Sequence, residues 1–327
     1  MLEGKKVLLF AANAFGYEKD IQIKMQEMGA VVDYYDERPS NSFLTKAIIR
    51  INRRLLNRKI EKYYYCICSK EVIKNYDYIV FIKAESVSSK ILQRLRTEHS
   101  NAQFVLYLWD SILNNKNVLS NYIYFDKVLS FDKNDVERYG FAFRPLFYTD
   151  AYKEIANRKK IVYDALFVGT VHSDRYYYAK NIEQQLSNMG KKMMSYFFFR
   201  SPILYYRKKI FDKTYKHVKK DDFQFTQLSK KELIELVAQS CCLVDAQHPK
   251  QTGLTMRTIE ALGACRKLIT TNKNIKNYDF YNPNNILVVD RLTPAIKMDF
   301  FNVEYEKIDA TIYNAYSLEM WITNLLS

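Results

Sequence analysis

Two kinds of apolar pattern alternate along the chain. KVLLFAAN, VVDYYDE at 31–37, YDYIVFIKAES at 76–86 and FVLYLWDS at 104–111 are short apolar runs or strict alternations, the mark of β-strands. Between the first two lies a stretch whose apolar positions suit a helix from about 18 to 28, with Gly29 placed to end it. DKVLSFDKND at 126–135 gives a short strand and then a helix start at Asp132 or Lys133. The same grammar restarts with the strand YDALFVGT, the helix SDRYYYAKNIEQQLSNMG stopped by Gly190, and the strand KKMMSYFFF. LSKKELIELVAQS follows as a helix whose Ser229 and Glu232 form a capping box. CCLVDAQ, RKLITTN and NILVVD are further strands, and IYNAYSLEMWITNLL predicts a closing helix over 312–326.

Strands that alternate with helices predict parallel sheets joined by crossovers. At 327 residues and 48% hydrophobic content, the chain has length and core for two such domains. The expected fold class is α/β, with two Rossmann-like domains. Residues 1–153 form the first and 154–308 the second, and 309–327 form a terminal helix. Strand ends then carry Asn13, Glu85, Asp110 and Phe131, where an open parallel sheet places its ligand crevice.

The net charge of +14 points to a polyanionic partner, whether nucleotide, phospholipid headgroup or nucleic acid, or to a plain solvated surface. Cys66, Cys68, Cys241, Cys242 and Cys265 lack zinc spacing and read as reduced thiols of a cytosolic protein. KKVLLFAANA imitates a signal peptide, but its apolar run is short and a βαβ unit continues from it. No run approaches the ~18 apolar residues that span a bilayer.

Two turns carry candidate chemistry. FVGT followed by HSDR is a strand, a tight turn and a helix start. There Gly169 and Thr170 let backbone approach a ligand, helix N–H groups suit a phosphate, and Arg175 adds a cation. In HPKQTGLTMRTIEALGACRKLITTN, Thr252, Gly253, Leu254 and Thr255 form a second such turn. Arg257 lies in the first helical turn, and Glu260 three residues on suits a ribose diol. The competing reading is an ordinary βα turn with an Arg257–Glu260 surface pair. His172 and His248 lie beside the two turns, on the possible donor side.

The segment VDAQHPKQTGLTMRTIEALGACRKLITTN resembles the donor-nucleotide region of GT-B glycosyltransferases, most closely bacterial enzymes of cell-surface polysaccharide or lipopolysaccharide synthesis. AFGYEKDI, DYYDERP, YLWDS, FVGTVHSDR and the final helix with Trp321 resemble the same family, so the likeness covers nearly the whole chain. It implies two domains facing across a cleft, with the terminal helix crossing back to the first. It implies a nucleotide-sugar donor on the second domain and an acceptor on the first. By matching position, Gly169 and Thr170 would face the diphosphate with Arg175 nearby, Gly253, Leu254 and Thr255 would contact diphosphate or sugar, and Glu260 would hold ribose. Many retaining members have a second Glu where this chain has Thr252, which leaves inversion or retention open.

The chain has no Asp-x-Asp, the dyad that holds a metal-bound diphosphate in the other large glycosyltransferase fold, so no metal or other cofactor is expected. Arg175 and Arg257 would stabilise the leaving diphosphate instead. Asp110, Glu85 and Glu18 are the candidates for a general base, Asp110 first. The basic, aromatic stretches 46–62 and 205–220 suit an anionic membrane surface, or a solvated helix with snorkelling side chains. A cytoplasmic enzyme at the inner face of the plasma membrane, acting on a lipid-linked glycan, is the resulting expectation. A nucleotide-sugar epimerase of the same architecture and a basic nucleic-acid-binding protein are the alternatives. No nucleic-acid recognition motif is present, so no nucleic-acid partner is expected.

Overall fold

The computed structural model describes residues 2–13, 15–158, 160–170, 174–212, 215, 218–247 and 252–327. The chain divides into two compact units. One comprises Met1–Leu146, Gln251–Gly253 and Tyr316–Ser327, the other Phe147–Lys250 and Leu254–Ala315.

The first unit holds β1 (Lys6–Ala11), β2 (Val31–Tyr35), β3 (Tyr78–Ile82), β4 (Gln103–Leu108), β5 (Lys127–Ser130) and β6 (Ala142–Phe143). They form a six-stranded parallel sheet in the order β2-β1-β3-β4-β5-β6. Its helices are α1 (Tyr17–Glu27), α2 (Phe43–Asn52), α3 (Asn57–Glu71), α4 (Ser89–Glu98) and α5 (Lys133–Tyr139). The central strands β1, β3 and β4 are nearly continuous apolar runs because helices cover both faces of a parallel sheet. Phe10 and Phe81 stack at 4.4 Å between ring centres in that core.

The second unit contains α6 (Asp150–Ile155), β7 (Tyr163–Thr170), α7 (Arg175–Asn188), β8 (Met193–Phe198), α8 (Pro202–Phe211) and β9 (Phe223–Gln224). It continues with α9 (Lys230–Ala238), β10 (Ser240–Asp245), α10 (Met256–Gly263), β11 (Lys267–Thr270), β12 (Ile286–Val288), α11 (Met298–Asn302) and α12 (Ala310–Ala315). Its sheet is also six-stranded and parallel, in the order β12-β11-β10-β7-β8-β9. The last helix, α13 (Leu318–Leu326), packs in the first unit on α1 and β4.

Each sheet reverses its strand order once. The reversal falls between β1 and β3 in the first unit and between β7 and β10 in the second. Loops leave in opposite directions at such a point and open a crevice at the carboxyl ends of the strands. Several predicted caps are present. Gly29 follows α1 at φ 95°, where a Cβ would come within 2.3 Å of Glu3. Ser229 and Glu232 close the capping box of α9.

Two stretches of helical spacing are broken, 44–62, where Ile48, Ile51, Leu55 and Ile60 recur, and the closing helix at 312–326. Residues 44–62 form α2, a 3-10 turn over Arg53–Leu56 and then α3, because Asn52 is extended and its side chain accepts from the Arg54 N–H. Of the four residues at that spacing only Ile60 is buried. Thr45, Ile49, Ile60 and Tyr64 are buried, while Ile51 and Leu55 face outward. The closing helix breaks before Ser317, whose side chain accepts from the Met320 N–H and starts α13 afresh. Trp321 is then fully buried edge-on to Tyr107, with ring centres 4.7 Å apart. Lys127 holds the end of α13 by donating to the carbonyls of Asn324 and Ser327, both at 2.7 Å. Helix α4, with its Ser88 cap, and the short α6, β6 and β9 are elements the apolar pattern does not single out.

Candidate functional site

The reversal point of the second sheet gathers charged side chains. Gly169 and Thr170 end β7, and Asp245 ends β10 beside it. Helix α7 opens at Arg175, and its N-cap, Asp174, makes no side-chain cap bond. Asp174 instead receives both arms of Arg291, from Nε at 2.6 Å and Nη2 at 2.5 Å. The third arm of Arg291 reaches the Gln247 carbonyl at 2.7 Å. Arg291 therefore ties the chain after β12 to the start of α7 and the end of β10. Burial works against the charge of Arg175, and Asp245 supports it. Burial likewise pushes the Asp245 carboxyl up, opposed by Arg175 and by the Thr255 hydroxyl.

Helix α10 contributes the other half of this wall. Thr255 caps it by accepting from the Thr258 N–H at 3.3 Å. That leaves fewer of the helix's first N–H groups for an anion than the sequence suggests. Arg257 Nη1 donates to Glu260 Oε2 at 2.6 Å, and Glu260 is only 2% exposed. The pair is thus largely buried rather than a solvated surface contact, and Arg257 orients the carboxylate.

Thr252 and Gly253 are placed elsewhere. By contact they group with the first unit, apart from Leu254 and Thr255. The Thr252 hydroxyl donates to Asp132, the N-cap of α5. A Cβ on Gly253 would lie 2.4 Å from the Phe131 ring and 3.0 Å from its carbonyl oxygen. Packing alone therefore explains the glycine. His172 and His248 lie outside the described residues.

The reversal point of the first sheet is equally charged. Immediately after β3, Lys83 and Ala84 take φ values of 88° and 47°, a left-handed conformation that costs non-glycine residues energy. The turn is held by Lys83 N–H to the Tyr107 carbonyl at 2.8 Å, Asn115 to the Lys83 carbonyl at 2.8 Å, and Asn117 to the Glu85 carbonyl at 3.1 Å. It directs Lys83 Nζ between two carboxylates, Glu85 at 2.8 Å and Asp110 at 2.7 Å. Arg38 Nε donates to the other oxygen of Glu85 at 2.6 Å. Below them Glu37 is fully buried and accepts from the Glu85 N–H at 3.2 Å.

Burial, and then the neighbouring Glu85, push the Glu37 carboxyl well above the usual carboxylate range. Glu85 moves the other way. Burial opposes its charge, but Lys83 and Arg38 hold it below its ordinary value. Burial also opposes the charge of Lys83, and Asp110 and Glu85 keep it protonated. With Glu37 neutral, Glu85 and Asp110 balance Arg38 and Lys83, an arrangement that avoids an uncompensated buried charge.

This geometry separates the three candidates for a base. Both oxygens of Glu85 are engaged by cations, so it positions Lys83 and Arg38 and is not open to a substrate. Asp110 is the most exposed carboxylate of the group, its side chain 36% accessible. Beside it the Trp109 ring packs against Tyr17 at 5.7 Å. Glu18 is buried in the first turn of α1, where burial, Asp36 and Glu18 together raise the Tyr34 phenol. Glu37, Arg38, Lys83, Asp245 and Arg291 are absent from the sequence candidates. Glu37 and Arg38 do lie in the DYYDERP run.

No protein-family model and no curated protein matches the sequence. Solved structures do match. A glycosyltransferase from Rickettsia africae superposes with a TM-score of 0.57 at 14% identity, over 98% of this chain and 97% of that one. Sucrose-phosphate synthase from Thermosynechococcus elongatus gives 0.55 at 12% identity, over 99% and 95%. The chain has the GT-B fold. The UDP-GlcNAc 2-epimerase of Methanocaldococcus jannaschii also shares the GT-B architecture, with a TM-score of 0.51 at 12% identity over 98% and 99%. At these identities the likeness is one of fold. Among the described residues, no helix of this GT-B chain is long and apolar enough to cross a membrane.

Proposed function

We propose that this chain is a metal-independent glycosyltransferase that moves a sugar from a nucleotide-sugar to a lipid-linked glycan in bacterial surface-polysaccharide synthesis. The observation that carries the reading is the wall at the reversal point of the second sheet. There Arg257 holds a nearly buried Glu260, and Arg291 binds Asp174 at the start of α7, next to Arg175. Glu260 takes the ribose diol through its carboxylate. Backbone at Gly169–Thr170 and Leu254–Thr255, with Arg175 and Arg257, takes the diphosphate and stabilises the charge that develops on it as the sugar leaves. Thr252 and Gly253 remain proposed donor-binding residues. His172 and His248 remain proposed donor-side residues. Asp110 is the proposed base for the acceptor hydroxyl, with Lys83 fixing its carboxylate. The enzyme would work in the cytoplasm at the inner face of the membrane.

A thermal-shift series across nucleoside diphosphates and nucleotide-sugars tests this, because a ligand bound only by the folded chain raises the melting temperature. One nucleotide should stabilise the protein, and calorimetry should show Glu260→Ala weakening its binding strongly. Unchanged affinity in that variant would sink the ribose assignment. The shared fold of the epimerase keeps a second reading, in which the same wall holds a nucleotide-sugar that is altered rather than transferred. Incubation with nucleotide-sugar alone separates them, since an epimerase changes it without an acceptor.

A further inference from the structure

Helix α2 is apolar on two sides. At about 100° per residue, Phe43, Ala47, Ile51, Leu44 and Ile48 fall within an arc of about 140°. Thr45 and Ile49, on the far side, are the α2 residues buried in the unit. The apolar arc faces out. Phe43 is 62% exposed, Leu44 71%, Ile51 83% and, in the following turn, Leu55 71%. Scattered apolar residues on a surface are ordinary, but a contiguous set along one helix marks an interaction surface.

The collar of this arc is basic. Lys46 and Arg50 lie along one edge of it, and Arg54, Arg58, Lys59 and Lys62 follow, while Glu61 is the only acid between residues 39 and 62. Arg50, Arg54, Arg58, Lys59 and Lys62 are exposed, so the charge faces solvent. An apolar strip bordered by cations matches the boundary of an anionic bilayer, where acyl chains lie under phosphate headgroups.

We infer that α2 and the turn after it lie in the surface of an anionic phospholipid bilayer. Phe43, Leu44, Ile51 and Leu55 enter the acyl boundary, and the flanking cations sit against the headgroups. This deepens the proposed lipid-linked acceptor and rests on that reading for its purpose. Binding by charge alone would fail at high salt, because screening shortens to a few Å at about 0.5 M. Insertion persists there.

The test is co-sedimentation of the full chain with vesicles of phosphatidylcholine containing about one quarter phosphatidylglycerol, against pure phosphatidylcholine. Wild type should bind the anionic vesicles and keep part of that binding at about 0.5 M salt. Leu44→Ser, Ile51→Ser and Leu55→Ser together should weaken it by about two orders of magnitude, since each removes an inserted apolar side chain. Arg50→Ser with Arg54→Ser should weaken it by about fivefold per cation at low salt. All five altered side chains, Leu44, Arg50, Ile51, Arg54 and Leu55, are exposed, so circular dichroism should be unchanged. Three results would each overturn the inference. These are wild type that does not bind the vesicles, serine variants that bind as tightly as wild type, and a concentration-dependent dimer lost in the serine variants without vesicle binding. Nucleotide stabilisation, measured on the same variants, should be unaffected. Its absence in wild type would refute the glycosyltransferase reading while leaving the lipid result standing.

Discussion

Glu37 makes the stability of the first unit depend on pH in a direction opposite to most carboxylates. In the unfolded chain its carboxyl ionises near the ordinary value of about 4.3. In the folded chain burial and Glu85 raise it. A raised folded value contributes stability that is complete below the unfolded value and is lost as pH rises towards the folded one. One such group costs at most about 1.4 kcal/mol per pH unit, so the loss from about pH 5 to about pH 7 is at most about 2.7 kcal/mol. Glu85, held below its ordinary value, has the opposite sign. Its contribution is complete above about 4.3 and is lost only in more acidic solution, so it is flat over this interval. Glu37→Gln is a neutral group of the same shape that still accepts from the Glu85 N–H. Its unfolding free energy relative to wild type should therefore rise by up to about 2.7 kcal/mol between about pH 5 and about pH 7. Urea titrations read by tryptophan fluorescence measure this. The chain has two tryptophans, Trp109 and Trp321, and both lie in the first unit. A difference that stays constant across the interval, or a Gln variant less stable than wild type at the upper end, would refute the burial of a neutral Glu37.

Three further outcomes follow from the same packing. Lys83→Met leaves Glu85 and Asp110 without their shared cation, and should destabilise the first unit by about 3–5 kcal/mol in the same fluorescence titration. Trp321→Ala empties the fully buried site beside Tyr107 and should cost about 3–5 kcal/mol, read from Trp109 emission; a loss below about 1 kcal/mol would mean that α13 is not docked as described. Gly253→Ala sets a methyl against the Phe131 ring and carbonyl and should cost about 1–3 kcal/mol, seen as a lowered melting temperature.

What the sequence determined by itself were features set by neighbours a few residues apart. Apolar runs marked the central strands, Ser229 and Glu232 marked the start of α9, and Gly29 marked the end of α1, because pleat, cap and left-handed backbone are local requirements. The turn after β7 and the Arg257–Glu260 spacing were legible for the same reason, since residues three apart on a helix are neighbours in any fold. Tertiary structure decided the rest. Periodicity shows that residues 44–62 have an apolar side, but not which side meets the core, so Ile51 and Leu55 face outward while Ile49 and Ile60 are buried. Arg38 and Glu85 are 47 residues apart, and only the pairing of β1 with both β2 and β3 brings their loops together. The shift of Glu37 exists only there, because removal from water and a neighbouring charge are properties of an enclosed volume and have no expression in the order of residues.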